Sequence, residues 1–420
     1  MKVGLEKYSL YSLVRNSFTQ HRDWSPAWIT HDLKKSYDVI IIGGGGHGLA
    51  TAYYLAKTHG VANITVLERG WLGGGNVARN TVTIRSNYLR QESIPFFIKS
   101  VEMYEGLTKE LNFNLMHSRR SMIDIIQTYP KLLEIKRKMY VMDIFGATYK
   151  PISVSEIRRR IPTLTGGGKD SRLPIIAGMV HPEGAVNRHD AVAWGYARAA
   201  SSLGVEIHQN TKVNSLLRND DGTIRGVSTV KGDVLADRVA VAVSGHTTQL
   251  TDTVGLKLPL RSFNLSAFVS EPVKPMIDVV VNCPDLGVYL SQTAKGELVI
   301  GGAPDPGQSF RRGTNQLVFE RTVGAMLELF PSFKKLKLLR QWGGTVDIAP
   351  DASPIISETE IPGLYITAGW WGGYKAIPAG GLTFANLIAT NTPHQLTKSF
   401  TLDRFETLDY ILEPGTTTRV

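Results

Sequence analysis

The sequence predicts an α/β fold, α+β overall, in which a discontinuous parallel-sheet domain is joined to a domain with a mostly antiparallel sheet. The first observation behind this prediction is an apolar, strand-like run at Tyr37–Ile42 that leads through five glycines between Gly43 and Gly48 into a helical pattern. A second strand-like run, at 63–68, closes on an acidic residue. Far along the chain, residues 362–369 repeat the order of strand and glycine turn before another helix. Segments so far apart predict one Rossmann-type domain assembled from separate parts of the chain.

The composition is that of an ordinary globular chain and limits the classes of partner. Hydrophobic residues make up 42% and charged residues 20% of the 420 residues, and the net charge is +10. The basic residues are spread thinly and accompany no nucleic-acid-binding motif, so we expect no nucleic-acid partner. Residues 39–56 carry no formal charge, but their glycines divide them into a strand and a helix. We therefore expect no membrane segment there.

Cys283 is the only cysteine. A single thiol excludes a disulfide framework and cysteine-based zinc or iron–sulfur sites, and we expect no metal site. It also favours a reducing compartment, so we expect a cytoplasmic protein. The first 35 residues have no apolar core of signal-peptide length. Their composition is compatible with a transit peptide, but we expect a native arm that docks on a partner.

The glycine cluster matches the dinucleotide-binding fingerprint G-x-G-x-x-G at Gly43, Gly45 and Gly48, between a strand and a helix. The first glycine allows the tight turn, the second lets the backbone approach a pyrophosphate, and the third packs the helix on the strand. The N-terminus of the helix offers N–H groups and positive potential to the phosphates. Glu68 closes the second strand twenty residues after the last glycine, where it can accept hydrogen bonds from a ribose and repel a 2′-phosphate.

The fingerprint by itself does not distinguish FAD from NAD. Further strand-like segments at 205–213, 224–230, 234–235, 238–245 and 362–369, with helical segments at 190–203 and 378–389, make the nucleotide domain discontinuous. This favours FAD, because nicotinamide dehydrogenases usually keep their dinucleotide fold contiguous. The expected division is an N-terminal arm at 1–35, an FAD-binding domain at 36–85, 181–254 and 346–395, a substrate and interface domain at 86–180 and 255–345, and a C-terminal tail at 396–420.

Several motifs together resemble one family over nearly the whole chain, from about Tyr8 to Phe405. They are DVIIIGGGGHGLATAYYLA, VLERGWLGGGNVARNTVTIRSNY, RHDAVAWGYARAA, WGGTVDIAPDASPIIS and GWWGGYK followed by PAGG. The family is the β subunit of heterotetrameric sarcosine oxidase, within the D-amino-acid-oxidase-like FAD-dependent flavoprotein superfamily. HRDWSPAW near the start is similar to the beginning of that family, which argues against a transit peptide.

The resemblance implies two flavins: FAD held noncovalently, and FMN attached covalently and shared with the α subunit of a complex that also contains γ and δ subunits. The FMN attachment matches His189 in Arg188-His189-Asp190. From the residues alone, a histidine before a helix is a cap or core residue, and Asp190 is the expected N-cap of a helix at 191–203. Monomeric relatives attach FAD through a cysteine at a position that aligns near Gly344, and glycine cannot form that bond.

The resemblance also implies an amine site. Arg85 and Lys375 match the residues that bind the substrate carboxylate, for which an arginine fork and a lysine point charge are suited. Tyr289 matches a tyrosine that lines the same pocket. From the residues alone, Arg85 and Lys375 would be surface charges, Tyr289 would be core, and His47 would be a partly solvated residue at a helix start. The expected cofactor-binding residues are Gly43, Gly45, Gly46, His47, Gly48, Glu68, Asn76, Thr81, Ile84, Val213, Gly372, Gly373 and Lys375, with His189 for FMN.

The implied activity is oxidative demethylation of sarcosine to glycine. Electrons pass from FAD to FMN to oxygen, hydrogen peroxide forms, and the one-carbon unit goes to tetrahydrofolate in a partner subunit. Two departures from the family leave alternatives open: GWWGGYK is one residue shorter than usual and bulkier at Trp371, and 303–310 contains prolines. One alternative is a dehydrogenase subunit for a proline-like or other N-methyl amino acid. The other is a flavin-holding assembly subunit with a degenerate amine site.

Overall fold

A computed structural model of the chain describes residues 9–20, 22 and 29–413. Of the HRDWSPAW segment, every residue except Arg22 lies outside the described residues. The helices are α1 Leu10–Phe18, α2 Gly46–His59, α3 Ser93–Glu110, α4 Tyr129–Ile144, α5 Val154–Arg160, α6 His189–Ser202, α7 Thr247–Thr251, α8 Gln316–Leu329 and α9 Ile377–Thr390. The strands are β1 Val39–Ile42, β2 Ile64–Leu67, β3 Thr83–Ile84, β4 Ser118–Arg119, β5 Met122–Ile126, β6 Lys150–Ile152, β7 Ala177–His181, β8 Ala185–Val186, β9 Glu206–His208, β10 Val213–Arg218, β11 Ile224–Thr229, β12 Gly232–Leu235, β13 Arg238–Val241, β14 Arg261–Pro272, β15 Val280–Cys283, β16 Val288–Gln292, β17 Glu297–Gln308, β18 Leu338–Ile348, β19 Ile355–Glu358 and β20 Leu364–Ala368.

A six-stranded sheet within the described residues has the order β19-β20-β13-β1-β2-β9. Strand β1 is parallel to β2 and to β13, β20 continues the parallel set, and only the edge strand β19 runs antiparallel to its neighbour. All four residues of β1 are buried, as expected for a parallel strand covered on both faces. The sheet draws its strands from three distant segments of the chain, as the discontinuous Rossmann-type prediction requires.

Helices α2, α6 and α9 pack together over one face of this sheet, and their apolar side chains belong to one core with Val39 and Ile41 of β1. The approach of α2 to β1 depends on Gly48, since a Cβ there would lie 2.0 Å from the carbonyl oxygen of Gly43. This contact places the N-terminus of α2 directly beyond the carboxyl end of β1, the usual ligand-binding edge of such a sheet.

An eight-stranded sheet forms the second layer system and has the order β18-β14-β17-β16-β15-β5-β7-β6 in the described part of the chain. Adjacent strands within this sheet are antiparallel, except for β5 and β15, which are parallel to each other. The long strand β14 pairs with β17 on one side and β18 on the other. The predicted fold class, a Rossmann-type sheet combined with a mostly antiparallel sheet, is confirmed.

The domain division made from the sequence remains a proposal. The parallel sheet takes its strands from 39–67, 206–241 and 355–368, which supports the discontinuous arrangement. Strand β18 extends through the proposed boundary between 345 and 346, because its pairing with β14 continues to Ile348.

Two local predictions are wrong in detail. The segment 205–213 is two strands, β9 and β10, separated by a turn in which Asn210 has a left-handed φ of 52°. Helix α6 begins at His189 with Arg188 as its N-cap, so Asp190 is not the cap. Asp190 lies in the first turn, where its carboxylate pairs with the Arg188 guanidinium at 2.8 Å and accepts the Ala191 N–H. A carboxylate in this first turn is favoured by the helix dipole without being the cap.

Helix α1 carries an apolar face that no other described residue covers. Its large apolar side chains are all exposed, with Phe18 86% and Leu10 79% accessible. Ser9 caps the helix by accepting the Ser12 N–H. That the N-terminal arm docks on a partner stays a prediction, and this exposed face is the part of the arm suited to it.

The uncharged segment 39–56 is divided between β1 and α2 by the glycine turn, as predicted. Over the described residues, no helix combines the length and the apolar character needed to cross a bilayer.

A buried ion pair fastens the segment after α9 to the parallel-sheet region. The Arg404 guanidinium donates from Nε and Nη2 to the two carboxylate oxygens of Asp351 at 2.8 and 3.1 Å, and the side chains are 3% and 0% exposed. Arg404 also donates to the carbonyl oxygens of Ser353 and Thr401. Removing one partner of such a pair leaves an uncompensated buried charge.

We predict that Arg404→Met lowers the free energy of unfolding by about 3–5 kcal/mol, because the Asp351 carboxylate then stays buried without its cation. Denaturant unfolding followed by tryptophan fluorescence measures the change. Lys398→Met, an exposed position nearby, is the matched control and should change stability by less than about 0.5 kcal/mol. Equal effects of the two substitutions would contradict a stabilising role for the Arg404–Asp351 pair.

Candidate active site

A cavity of about 530 Å³ lies between the glycine turn after β1, the segment before α9 and one face of the antiparallel sheet. Of the site residues predicted from the sequence, Gly48, Ile84 and His189 do not line it. Gly48 is the helix-packing glycine, and Ile84 is fully buried in β3. The predicted residues that do line the cavity are Gly43, Gly45, Gly46, His47, Glu68, Asn76, Thr81, Arg85, Val213, Tyr289, Gly372, Gly373 and Lys375.

The glycine turn has the form of an anion-binding cradle. Gly43 has a left-handed φ of 113°, and a Cβ there would lie 2.4 Å from the Ala242 carbonyl oxygen. A Cβ on Gly45 would meet no atom within 4 Å, so this glycine faces open space in the cavity. No side chain caps the first turn of α2, which leaves its N–H groups available to a phosphate. The turn therefore fits the pyrophosphate of a dinucleotide.

Glu68 lies at the end of β2, beside this turn. One carboxylate oxygen accepts the Gly44 N–H at 2.9 Å and the other accepts the Gly70 N–H at 2.8 Å. These bonds fix the carboxylate on the wall of the cavity, where each oxygen keeps acceptor capacity for a ribose hydroxyl. The buried hydroxyl of Thr83 also lines the cavity, and it has no hydrogen-bond partner among the described residues.

His47 connects the glycine turn to the segment before α9. Its Nε2–H donates to the Gly373 carbonyl oxygen at 3.0 Å, and its ring stacks on Trp370 with centroids 4.3 Å apart. Burial lowers the pKa of His47 to about 4, so the ring is neutral at ordinary pH. The side chain of His47 therefore braces two loops, while its backbone remains part of the cradle.

Asn76 and Thr81 join the glycine-rich side of the cavity to the antiparallel sheet. Asn76 Nδ2 donates to Ser244 Oγ at 2.9 Å and to the Thr345 carbonyl oxygen at 2.6 Å. The Thr81 and Tyr289 hydroxyl groups lie 3.0 Å apart. A Cβ on Gly344 would lie 3.0 Å from Asn76 Oδ1, so Gly344 lies directly behind the wall of the cavity.

Arg85 is buried, with 7% of its surface exposed, and is held from within its own loop. Its Nη1 donates to Asn87 Oδ1 at 2.7 Å and to the Asn87 carbonyl oxygen at 3.1 Å. The guanidinium lies over the ring of Tyr88, 4.8 Å from its centroid. These contacts hold one edge of the fork, and the side chain lines the cavity.

Lys375 approaches the same tyrosine from the other side of the cavity. It is 8% exposed, and its Nζ lies 5.9 Å from the centroid of the Tyr88 ring. The Nζ group donates to the Gly372 carbonyl oxygen at 2.7 Å. Burial, with a smaller contribution from Arg85, lowers the pKa of Lys375 well below its ordinary value. Two buried basic side chains on one aromatic ring are suited to binding a carboxylate.

Sequence reasoning did not single out Tyr88, although it lies three residues after Arg85 in the quoted motif TIRSNY. Its ring is 5% exposed and stacks face to face on Phe97 of α3, with centroids 3.7 Å apart. The aromatic residue at this short spacing is a signal that the sequence did contain.

A buried polar network lies behind Arg85 and was also missed. Asn87 Nδ2 donates to one oxygen of Asp124 at 3.3 Å, and Asn282 Nδ2 donates to the other at 2.5 Å. The Tyr149 hydroxyl donates to Asp124 as well. Asp124 is in β5 and Asn282 in β15, so the central strands of the antiparallel sheet orient Asn87 and, through it, Arg85. No signal in the sequence joins residues so far apart.

The C-terminal segment completes the loop that carries Arg85. Glu413 is 2% exposed, and its carboxylate accepts the Leu89 N–H at 3.2 Å and the Arg90 N–H at 2.9 Å. Both donors immediately follow Tyr88. Glu413 therefore satisfies two backbone groups that no regular structure would pair.

Trp371, the bulky residue in the motif GWWGGYK, lines the cavity. It is 7% exposed and has a left-handed φ of 42°, an unusual backbone conformation for a large side chain. Its N–H donates to the Asp347 carbonyl oxygen at 2.9 Å. The conformation is therefore anchored by β18.

His189 does not line the cavity but lies near one of its walls. The Tyr374 hydroxyl, on a cavity-lining residue, donates to Asn187 Oδ1, two residues before His189. The Nδ1 atom of His189 is buried without a hydrogen-bond partner in the described part of the chain. Burial lowers the pKa of this imidazole, which favours the neutral ring with an unprotonated nitrogen.

Comparisons with known proteins agree with this geometry. The family described as FAD dependent oxidoreductase (DAO) matches residues 38–387. The chain belongs to this family. It is 42% identical to "Sarcosine oxidase subunit beta" of Rhodobacter capsulatus over 410 residues, which cover 97% of this chain and 98% of the relative. A protein of the same description from Arthrobacter sp is 42% identical over 389 residues, covering 92% of this chain and 96% of the relative.

Two solved structures share the fold of this chain. L-proline dehydrogenase from P. horikoshii has a TM-score of 0.82 at 25% identity, covering 89% of this chain and 99% of that one. Glycine oxidase from Geobacillus kaustophilus has a TM-score of 0.79 at 21% identity, covering 88% of this chain and 99% of that one. The family resemblance inferred from the motifs is confirmed. This flavoprotein is an FAD-dependent oxidoreductase and a homologue of sarcosine oxidase subunit beta, and the roles of its individual residues stay predictions.

We predict that Asn87→Ala raises KM for the amine substrate about 3- to 10-fold, with kcat changed less, because Arg85 loses one acceptor that orients its fork. FAD content should be unchanged, since Asn87 does not line the cavity. Steady-state kinetics together with flavin absorbance measure both quantities.

Asn282→Ala is the matched control, because it removes a hydrogen bond to the same Asp124 carboxylate without touching Arg85. Its effect on KM should be smaller than that of Asn87→Ala. If the two variants change KM equally, Asn87 has no orienting role beyond the stability of the network.

Proposed function

We propose that this flavoprotein is the amine-oxidising subunit of a complex that demethylates sarcosine to glycine. The observation that carries the proposal is the convergence of Arg85 and Lys375 on the ring of Tyr88, in the same cavity as the glycine turn. Sarcosine is a small secondary amino acid whose one carboxylate matches this pair of cations. The 42% identity to proteins described as sarcosine oxidase subunit beta supports this substrate over others.

The turn at Gly43, Gly45 and Gly46 would hold FAD through its pyrophosphate, with Glu68 on the ribose. Gly344 offers no sulfur, and Cys283 is buried in β15 with its pKa raised to about 12 by burial. We therefore propose noncovalent FAD. When bound, FAD would accept two electrons from the substrate C–H bond. FMN on His189 would pass these electrons to oxygen, which is reduced to hydrogen peroxide.

The chain's own residues bind and orient the substrate. Arg85 offers a planar fork to the carboxylate, and Lys375 adds a charge from the opposite side. Fixing the acid end restricts rotation of the substrate, so that its N-methyl group is presented in one direction. Tyr289 and Thr81 form the neighbouring wall through their paired hydroxyl groups. Burial of both cations strengthens their attraction for the carboxylate, since water does not screen it.

The description "subunit beta" of the relatives implies a multi-subunit complex. We propose α, γ and δ partner subunits in the cytoplasm, the α subunit sharing FMN and the one-carbon unit passing to tetrahydrofolate in a partner. The exposed apolar face of α1 supports a docking role for the N-terminal arm. The neutral ring of His189, whose Nδ1 is buried without a hydrogen-bond partner among the described residues, supports attachment to the 8α-carbon of a flavin, because a neutral imidazole nitrogen is the required nucleophile.

A second candidate function is a dehydrogenase subunit for another secondary amino acid, proline-like or N-methylated. Trp371 favours it, because an indole lines the cavity where the resemblance leads us to expect small residues. The similarity to a solved L-proline dehydrogenase agrees with it. A flavin-holding assembly subunit with a degenerate site is disfavoured by the burial of both Arg85 and Lys375 in the cavity.

Flavin reduction by a panel of amino acids distinguishes these functions, and Arg85→Ala tests the carboxylate site. We predict that wild-type protein is reduced fastest by sarcosine. Arg85→Ala should weaken substrate binding about 10- to 150-fold, because a charge-assisted pair worth about 1.5–3 kcal/mol is lost, while FAD is retained.

Arg119→Ala removes an exposed arginine that pairs with Glu105 and Glu183, and it serves as the control with unchanged binding. An unchanged affinity for sarcosine in Arg85→Ala would remove Arg85 from the site. Fastest reduction by proline would favour the second function, and no reduction by any amino acid would favour the assembly role.

A further prediction concerns the second flavin. In the complex purified with its partners, acid denaturation should release FAD into the supernatant, while a fluorescent flavin band remains on this chain in a denaturing gel. His189→Asn should abolish that band, because asparagine has no ring nitrogen to form the bond. Substrate should still reduce the FAD, and reoxidation by oxygen should slow.

His394→Asn is the matched control at a distant histidine that caps a short turn by accepting the Leu396 N–H, and it should keep the fluorescent band. A band that survives in His189→Asn would place the attachment elsewhere. If FAD is recovered only in covalent form, the proposal that FAD is bound noncovalently, which rests on Gly344 having no sulfur, is wrong.

A further inference from the structure

The backbone of Lys375 is fixed at a buried position by hydrogen bonds from α3. Its backbone carbonyl accepts the Ser100 hydroxyl at 2.7 Å, and the adjoining Tyr374 carbonyl accepts the Tyr104 hydroxyl at 2.6 Å. Both donors are on α3. The ammonium end donates to the Gly372 carbonyl oxygen inside the cavity rather than reaching solvent. The amine of Lys375 therefore lies in the cavity, on the same Tyr88 ring as Arg85.

Among the described residues, the groups that face Lys375 supply no negative charge. From the β3 loop come the Arg85 cation and the neutral ring of Tyr88, and from α3 comes the neutral hydroxyl of Tyr104. From α2 comes the neutral His47, and α9 contains no ionisable residue. In the described part of the chain, no carboxylate lies within ion-pair distance of Lys375. Its pKa is lowered by burial and by Arg85.

Burial opposes a charge on Lys375 before the substrate arrives. An ammonium group that leaves water for a buried site with no carboxylate beside it among the described residues is disfavoured relative to the neutral amine, and the neighbouring Arg85 cation adds to this effect.

We propose that Lys375 is uncharged in the substrate-free protein and accepts the proton from the ammonium nitrogen of the incoming amino acid. The N–H bond of the substrate breaks, a new N–H bond forms at Nζ, and the total charge is unchanged. The carboxylate then has two cations beside it, and the substrate nitrogen keeps the lone pair that oxidation of the adjacent C–H bond requires. The inference rests on the proposed carboxylate site and adds to it the source of the unprotonated amine.

The test is proton uptake on binding, measured by titration calorimetry of the flavin-loaded complex in buffers of different ionisation enthalpy. The probe is methoxyacetate, which has the carboxylate of sarcosine and an ether oxygen in place of its nitrogen. At about pH 8, far below the ordinary lysine pKa of about 10.4, an ordinary lysine is already charged and takes up no proton. We expect uptake of about one proton per site with methoxyacetate. Sarcosine is unsuited to this measurement, because it reduces the flavin even without oxygen.

The sign of the pH dependence follows from the same assignment. Uptake with methoxyacetate should disappear as the pH falls through the pKa of Lys375 in the substrate-free protein, because the amine is then already protonated. Lys375→Met should abolish uptake at about pH 8, and Lys398→Met, on an exposed residue, should retain it.

The outcomes separate the inference from the proposed function. Methoxyacetate that binds the wild type without proton uptake overturns the inference and leaves the carboxylate site intact. Uptake that persists in Lys375→Met assigns the proton to another group and also overturns it. If neither methoxyacetate nor sarcosine binds, the proposed function itself fails.

Discussion

The arrangement depends on the contact between Gly48 and Gly43, where the first turn of α2 approaches the end of β1. A Cβ at Gly48 would lie 2.0 Å from the Gly43 carbonyl oxygen, so only glycine permits the approach. The contact aims the free N–H groups of α2 at the carboxyl edge of the parallel sheet. It also brings His47 against Trp370 and Gly373, and thereby positions the segment that ends at Lys375. The cradle and the amine site are therefore coupled through one helix.

The two cations of the amine site come from opposite ends of the chain and are held by different sheets. Lys375 belongs to the segment that continues the parallel sheet into α9, whereas Arg85 is oriented through Asn87 by the antiparallel strands. Tyr88 is the surface on which they meet. A shift of one sheet against the other would separate the two side chains, so the proposed carboxylate binding would depend on the relative placement of the two sheets.

The sequence predicted those parts of the site that depend on neighbouring residues. Gly43, Gly45 and Glu68 were found because a turn, a helix start and a strand end impose local requirements on residue type. The link from Asn87 to Asp124 was missed, because a buried polar network joins strands without regular spacing in the chain. Asp190 was assigned to the wrong helix position, because an acidic residue near a helix start can be either the N-cap or a residue of the first turn. Here Asp190 lies in the first turn, where it pairs with Arg188.

The contact of Glu413 with the Leu89 and Arg90 N–H groups has a consequence for biosynthesis. Glu413 lies 324 residues after Leu89 in the chain. At translation rates of about 5–20 residues per second, the loop that carries Arg85 waits on the order of tens of seconds for this acceptor. A nascent chain can complete its glycine turn early, but the loop that carries Arg85 only after Glu413 has been made. The proposed carboxylate site therefore stays incomplete for most of the time that the polypeptide is being synthesised.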